Sequence, residues 1–521
     1  MTDEAKPERK TREDFSGKHW VDVIADQLAE EKKQPYVITG GMTTSGPPHL
    51  GTVCEFLYPS IIRETLNGRG AESSFYFMAD ILDAFDSIPF ELERYRDVLE
   101  PELGKPLVYT KDPVGCHASL GEHYLDQAVI LSRKLGLEID IRKINELYSE
   151  GKFDPYARLF LKDEAKAKEI VARTSMKKIE EMAKWSPIMP ICEKCGRIAT
   201  TRVTWHDLEE YEYSCSADVK YTRGCGFSGR SSISNHKYKL QWRLHWPSWQ
   251  AIFNSSIEGS GVDHMTKGGS ATTAVEIHRE MLGREPPVYF KYGFVLIHGK
   301  KYSKSKGIGM SATDILKLIP EGVLKYILIE NDAQRDKDID PTGDKLIAVY
   351  EDVERISRMA EPKTRADMKK QLAFRLSIGK LPWKASFVDI LLNFQIYKDW
   401  KRVGEILNDT EGAVYLSRYI EEWIRMGYEP ERYNFSVKPA KVGELKEIVN
   451  KFSAALSENM SELDVHNLVY EVAKNNGVKP DSLFSVLYRA LIGKEKGPRM
   501  GKLVVSIGIA KTKEMLAFAT G

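Results

Sequence analysis

The sequence predicts an α/β protein: a Rossmann-type parallel-sheet domain with a metal-organised insertion, followed by an all-helical C-terminal domain. Three observations lead there. Short apolar strands alternate with helical periodicity through the first part of the chain, the pattern of a parallel sheet. The alternation breaks between about Trp185 and Ser232, where four of the six cysteines stand among Gly, Ser, Thr and aromatic residues. Beyond about Asp340, Gly and Pro thin out within segments whose apolar residues recur three or four apart.

In chain order, residues 1–16 are charged, lack an aliphatic run and read as a loose tail. Tyr36-Val37-Ile38 reads as a strand, Gly40 to Pro48 as a loop, and Leu50, Val53, Phe56, Leu57 and Ile61 as one face of a helix. Phe75 to Met78 is a second strand running into Ala79-Asp80, a helical pattern covers Ala118 to Leu135, and Ile139-Asp140-Ile141 alternates as a strand does. The α/β pattern resumes at Lys239, with a further strand and loop at Val288 to Lys306. Leu346 to Met359, Lys441 to Leu456 and Leu463 to Lys474 are helical. With 521 residues the chain exceeds one core, and the divisions fall at 1–16, 17–184, 185–235 for the insertion, 236–340, and 341–521 for the helical domain.

No apolar run is long enough to span a bilayer and no charged-then-apolar leader opens the chain, which points to a soluble, cytoplasmic protein without membrane contact. Lys and Arg (76) balance Asp and Glu (75), so contact with a polyanion must come from local patches. One candidate is residues 481–521, where Arg489, Lys494, Lys496, Arg499, Lys502, Lys511 and Lys513 face only Asp481, Glu495 and Glu514; a solvated helix face is its plainer reading. Cys54 and Cys116 read as ordinary core thiols. Cys192, Cys195, Cys215 and Cys225 read as ligands of one structural zinc, since four thiolates close a tetrahedral shell. The second pair encloses nine residues, more than a usual knuckle, and the stretch between the pairs reads as too polar to organise a core of its own.

Two segments carry phosphate chemistry. Gly40 to Thr52 is a glycine-rich turn between a strand and a helix, where backbone N–H groups approach a phosphate; His49 can bond phosphate oxygens and Gly51 leaves room for a base or ribose. Gly299 to Gly307 holds Lys300, Lys301, Lys304 and Lys306, ammonium groups suited to charge that develops when a carboxylate attacks the α-phosphorus of ATP. Each has a plain alternative, a cap residue and a solvated basic loop.

Together the two segments resemble a known pair of signatures. His49-Leu50-Gly51-Thr52 resembles the HIGH motif of class I aminoacyl-tRNA synthetases, and Lys301-Tyr302-Ser303-Lys304-Ser305 their KMSKS motif. The departures are Leu50, Thr52 in place of the second histidine, and Tyr302, so stabilisation by two imidazoles is not assumed. Gly41-Met42-Thr43-x-Ser45-Gly46, Asp80-x-x-Asp83-x-Phe85, Leu240-Gln241-Trp242-Arg243, Gly261-Val262-Asp263-His264 with Lys267-Gly268-Gly269-Ser270, and Gly493 to Arg499 resemble the archaeal-type class I lysyl-tRNA synthetases. The resemblance implies activation of L-lysine by ATP with Mg2+ to lysyl-adenylate and transfer to tRNA(Lys), by a protein expected to be monomeric. It implies catalysis by His49, Lys301 and Lys304; ATP contacts from His49, Gly51, Gly261, Asp263, Lys301, Ser303 and Lys304; and a lysine pocket of Gly41, Thr43, Trp242, His264 and Tyr292. Asp263 would meet either the ribose or the substrate ammonium. The helical domain resembles an anticodon-binding domain of the glutamyl type, and the insertion would help to place the tRNA acceptor end. Two rivals are a glutamyl-type class I synthetase, which would need an arginine facing its substrate, and a catalytically silent synthetase-like RNA-binding protein.

Overall fold

The computed structural model describes residues 17–301 and 310–521, Lys301 by its backbone alone. Two units emerge. The first comprises the described residues up to Leu316 together with Leu324–Ile339 and Pro362–Ser377, and the second comprises Lys317–Val323, Asp340–Glu361 and Ile378–Gly521.

In the first unit, α1 (Trp20–Glu31) leads to β1 (Tyr36–Met42), α2 (Leu50–Gly68), β2 (Ser73–Ala79), α3 (Leu120–Lys134) and β3 (Asp140–Lys143). Helices α4 (Asp154–Lys162) and α5 (Glu164–Ser175) precede the insertion, which holds β4 (Ile188–Pro190), β5 (Thr201–His206), β6 (Glu210–Cys215), the short β7 (Asp218–Val219) and β8 (Thr222–Arg223), and β9 (Ser228–Ser232). Then come β10 (Tyr238–Leu240), α6 (Trp242–Ile252), β11 (Ile257–Gly261), α7 (Ser270–Glu280) and β12 (Val288–Tyr292), followed by β13 (Val295–Ile297), β14 (Lys300–Lys301) and β15 (Lys337–Ile339). The main sheet is parallel in the order β12-β11-β1-β2-β3, which puts β1 at its centre and the carboxyl ends of β1, β11 and β12 along one edge. Ligand crevices of open α/β sheets lie outside such edges.

The apolar stripe expected on α2 is buried: Leu50, Val53, Phe56, Leu57 and Ile61 all face inward. β1 runs on past Ile38 through Gly40 and Gly41 to Met42, and a Cβ on Gly41 would come within 2.7 Å of the Met78 carbonyl oxygen, so the pairing with β2 requires glycine there. β11 has no counterpart in the expectation from sequence.

β4 and β10 pair antiparallel at the base of the insertion, and β5, β6 and β9 form a three-stranded sheet on it. Its core corrects the expectation of a segment too polar to pack. Ile198, Tyr211, Tyr213 and Ile233 are buried in one cluster with Tyr238, Trp246 and Trp249 of the main body. Aromatic rings with tethered hydroxyls build this core: Tyr211 donates to the Lys237 carbonyl and Tyr213 accepts from the Glu193 N–H.

The second unit is built, among its described residues, of helices and turns. Tyr350 stacks on Phe387 at 3.8 Å, with Trp423 edge-on to Phe387. Helix Arg365–Ser377 lies within the 341–521 helical range of the sequence reading yet groups with the first unit, where Lys370 pairs with Glu330 at 3.5 Å.

Candidate active site

His49 is the N-cap of α2. Its Nδ1 accepts from the Gly51 N–H at 2.9 Å, while the Thr52 hydroxyl accepts from the His49 N–H at 3.2 Å, a reciprocal box that satisfies two N–H groups of the first turn. Thr52, standing where the family motif has its second histidine, thus works as a capping partner. A Cβ on Gly51 would lie 2.6 Å from the His49 ring, so the capping imidazole requires glycine there.

Thr43, just beyond β1, donates its hydroxyl to Asp83. Asp83 and Asp80 both accept from the Lys239 ammonium, at 2.6 Å for Asp80, and Lys239 is only 1% exposed. Burial would raise the Asp80 carboxyl, but Lys239 and His245 beside it hold it below the usual carboxylate range. Burial likewise opposes the Lys239 charge, and the two aspartates keep it raised. Tyr148 ties this group to the backbone, its hydroxyl accepting from the Leu240 N–H at 2.8 Å and lying 3.1 Å from His245 Nδ1. Asp83, Lys239, Trp242 and Arg243 line a cavity of about 1370 Å³ that extends to the insertion.

Trp242 opens α6 and joins the glycine-rich stretch at 267–270. Its indole N–H donates to Ser270 at 3.2 Å, the same hydroxyl lies 2.7 Å from His264 Nδ1, and the Trp242 and His264 rings stand 5.7 Å apart. Arg243 clamps the stretch by donating to the Gly268 and Gly269 carbonyls at 2.6 and 3.0 Å. Trp242, Asp263 and His264 line a pocket of about 340 Å³. Burial lowers the His264 pKa, which keeps the ring neutral near pH 7. Behind Trp242 stacks Trp246, at 5.6 Å and 10° between planes, and Trp246 and Trp249 donate to the buried Glu258 of β11 together with Thr39 and Gln250. Tyr292 ends β12 opposite Gly261, its ring 3.8 Å from where a Gly261 Cβ would be, and its hydroxyl donates to Glu55 of α2. Thr43 connects through Asp83 to Lys239, which lines the large cavity together with Trp242.

Lys301 ends β14, paired with Leu296 of β13 across a two-residue turn at His298-Gly299. Ser303, Lys304 and the rest of that motif lie outside the described residues.

The family described as "tRNA synthetases class I (K)" matches residues 18–384. A lysine–tRNA ligase of Archaeoglobus fulgidus is 31% identical over 516 residues, covering 96% of this chain and 100% of the relative. Lysine–tRNA ligases of Methanosarcina barkeri and Pyrococcus horikoshii are 30% and 29% identical, covering 93% and 94% of this chain and 94% and 97% of theirs. The chain belongs to the class I lysine family of tRNA synthetases.

The chain carries two ligand clusters, one of them unexpected. Cys192 and Cys225 sulfurs stand 3.7 Å apart, as do those of Cys195 and Cys215, and the four sulfurs all lie within 4.8 Å of one another. Thiolates bound at about 2.3 Å around a tetrahedral zinc are about 3.8 Å apart, so the set fits that ion. The wide spacing of the second pair is occupied by the β7–β8 hairpin.

The second cluster is Asp112, Cys116, His117 and His123, whose ligand atoms also lie within 4.8 Å of one another. Cys116, read from sequence as a core thiol, is exposed, with its sulfur 3.0 Å from His117 Nδ1 and 3.1 Å from His123 Nδ1. Asp112 gathers the loop by accepting from the backbone N–H groups of Val114, Cys116 and His117. The spacing Asp-x3-Cys-His-x5-His was the sequence signal for it.

Proposed function

We propose that the ligase activates lysine at the carboxyl edge of its parallel sheet, with the amino acid between Trp242, His264 and Tyr292 and the ATP phosphates at the N-terminus of α2. The lysine carboxylate attacks the α-phosphorus of ATP, pyrophosphate leaves, and a ribose hydroxyl at the tRNA(Lys) end then attacks the adenylate carbonyl and releases AMP. His49, Lys301 and Lys304 stabilise charge on the phosphates, and Mg2+ bound with ATP shares it. Gly51, Gly261, Asp263 and Ser303 complete the ATP contacts, and Gly41 and Thr43 the amino-acid site. The capping role of His49 supports this reading, because a helix N-terminus with a fixed imidazole is a ready anion site.

Cys192, Cys195, Cys215 and Cys225 hold one structural zinc, and Asp112, Cys116, His117 and His123 hold a second divalent ion, with Asp126, 3.5 Å from His117 Nε2, orienting that ring. The large cavity beside the insertion, with Lys177, Lys184, Trp185 and Tyr221 in its wall, receives the single-stranded acceptor end: cations for phosphate and aromatic faces for bases. The 341–521 region recognises the anticodon arm. The ligase acts as a cytoplasmic monomer; no described helix is long and apolar enough to cross a membrane.

The observation that carries the reading is the joining of Trp242, His264 and the 267–270 stretch through Ser270. Trp242→Ala tests it. The KM for lysine should rise at least tenfold while that for ATP stays near its original value, and equal damage to both would assign Trp242 to the core.

A further inference from the structure

The large cavity that runs to the insertion and the smaller one beside Asp263 and His264 meet at two shared lining residues, Trp242 and Arg243. Arg243 is half-buried there and meets no carboxylate among the described residues. Its Nη1 donates to the Gly269 carbonyl at 3.0 Å and the Thr273 hydroxyl at 2.6 Å, and its Nη2 to the Gly268 carbonyl at 2.6 Å. All of these acceptors are neutral. Nε–H and one Nη2 hydrogen are left without a protein acceptor, two donors of the kind that grip neighbouring oxygens of a phosphate. Burial lowers the Arg243 pKa, and no anion offsets it. Lys239, on the same cavity wall, is balanced by Asp80 and Asp83.

A second cation stands at the same place. Lys267 is exposed on the rim of the smaller cavity, and no ion pair engages it among the described residues. The hold of Arg243 on Gly268 and Gly269 fixes the backbone that presents it. A desolvated guanidinium without a counter-charge is costly and recurs where a ligand provides that charge. With the acceptor end in the large cavity and the adenylate formed on lysine in the smaller one, the terminal nucleotide must cross at Trp242 and Arg243. The anionic group it carries is the phosphodiester that joins it to the nucleotide before it.

We propose that Arg243 and Lys267 grip the last phosphodiester of the tRNA acceptor strand and so aim the terminal ribose at the adenylate carbonyl. This rests on the placement of the acceptor end in the large cavity and of lysine beside Trp242 and His264. The pair acts by charge and direction alone and takes no proton. The phosphates of ATP offer the same chemistry, and the KM for ATP separates the two sources.

The test is charging of tRNA(Lys) in which the last phosphodiester is replaced by a neutral methylphosphonate, read with the full chain as kcat/KM for tRNA. In the wild type the replacement should cost about thirtyfold, and the same replacement two linkages upstream less than about fivefold. Lys267→Met should lose about tenfold with native tRNA, and the methylphosphonate should then cost at most about threefold more; Arg243→Gln should show the same non-additivity. The KM for ATP should stay within about twofold in both variants. Equal charging of the two tRNAs by the wild type would overturn the proposal. So would losses from Lys267→Met and from the methylphosphonate that simply multiply, the sign of cations acting elsewhere. A KM for ATP that rises in step with the loss for tRNA would assign the pair to the nucleotide phosphates and overturn it too. If Arg243→Gln disorders the stretch it holds, the two tRNAs compared in the wild type and Lys267→Met decide the matter. Failure of the underlying cavity reading would show separately, as an unchanged KM for tRNA in Trp185→Ala.

Discussion

At the scale of single residues, His49 performs two duties that substitution can separate. His49→Asn keeps an N-cap and should melt within a few degrees of the wild type, while losing about a hundredfold in kcat because the imidazole is gone from the phosphate site. His49→Ala should lose the same activity and about 1 kcal/mol of stability, visible by denaturant titration. If His49→Asn retained full kcat, the residue would be a cap only. Glu55 gives a second prediction, on stability. Its folded pKa of about 8 lies above the ordinary glutamate value of 4.5, so the unfolded chain ionises first. Its contribution is therefore fully present below pH 4.5 and is lost as pH rises through 8. The Tm of Glu55→Gln should exceed that of the wild type by more at pH 8 than at pH 4.5, and a constant gap would contradict the burial of that acid. His49, Trp242 and His264 were legible in the sequence because their motifs are local. Glu55 and Lys239 were not, because their partners, Tyr292 for Glu55 and Asp83 for Lys239, lie more than a hundred positions away.

Elements explain the next layer. The strands that the sequence disclosed, β1 and β2, are runs of Tyr, Val, Ile, Phe and Met buried between layers. β11 stayed hidden because Ile257-Glu258-Gly259-Ser260-Gly261 offers one aliphatic residue, and its Glu258 is tolerated only by four tertiary donors. The insertion was legible through its cysteines but its aromatic core was not, since Tyr211 and Tyr213 alternate with Glu and Ser in a half-polar strand. That core modifies what metal loss should do. Cys195→Ser should lose the zinc and charge tRNA poorly, yet β5, β6 and β9 should keep their amide-exchange protection because Tyr211, Tyr213, Ile198 and Ile233 remain packed. Exchange across all three strands as fast as in the unfolded chain would return the metal to the role of sole organiser. For the second cluster, His123→Ala should lower metal content by one ion per chain in elemental analysis without touching the cysteine-bound one; unchanged content would show that the cluster is a hydrogen-bonded loop.

Across the whole molecule the charge balance is near neutral, and much of the basic stretch noted at 481–521 is paired within the helical unit. Arg489 meets Glu444, Lys502 meets Asp389 at 2.6 Å, and Lys511 meets Glu514 at 3.3 Å. Attraction for tRNA is accordingly local and weak in aggregate. Raising salt from about 50 to 200 mM should raise the KM for tRNA severalfold while the KM for lysine, whose proposed contacts are largely aromatic, moves little. A parallel rise of both would contradict that difference in contacts. The division into an α/β part and a helical part was readable from periodicity, whereas the grouping of helix Arg365–Ser377 with the first unit was not, since a helix carries no local mark of what it packs against.

If the carboxyl edge of the sheet selects lysine through Trp242, His264 and Tyr292, charging of tRNA shows it most directly. Purified full chain is incubated with ATP, Mg2+, total tRNA and each standard amino acid in turn, labelled, and acid-precipitable charging is counted. The account predicts charging with lysine alone, lost in Trp242→Ala at subsaturating lysine and restored as lysine is raised. Charging with glutamate, or lysine charging indifferent to Trp242 at every concentration, would contradict it.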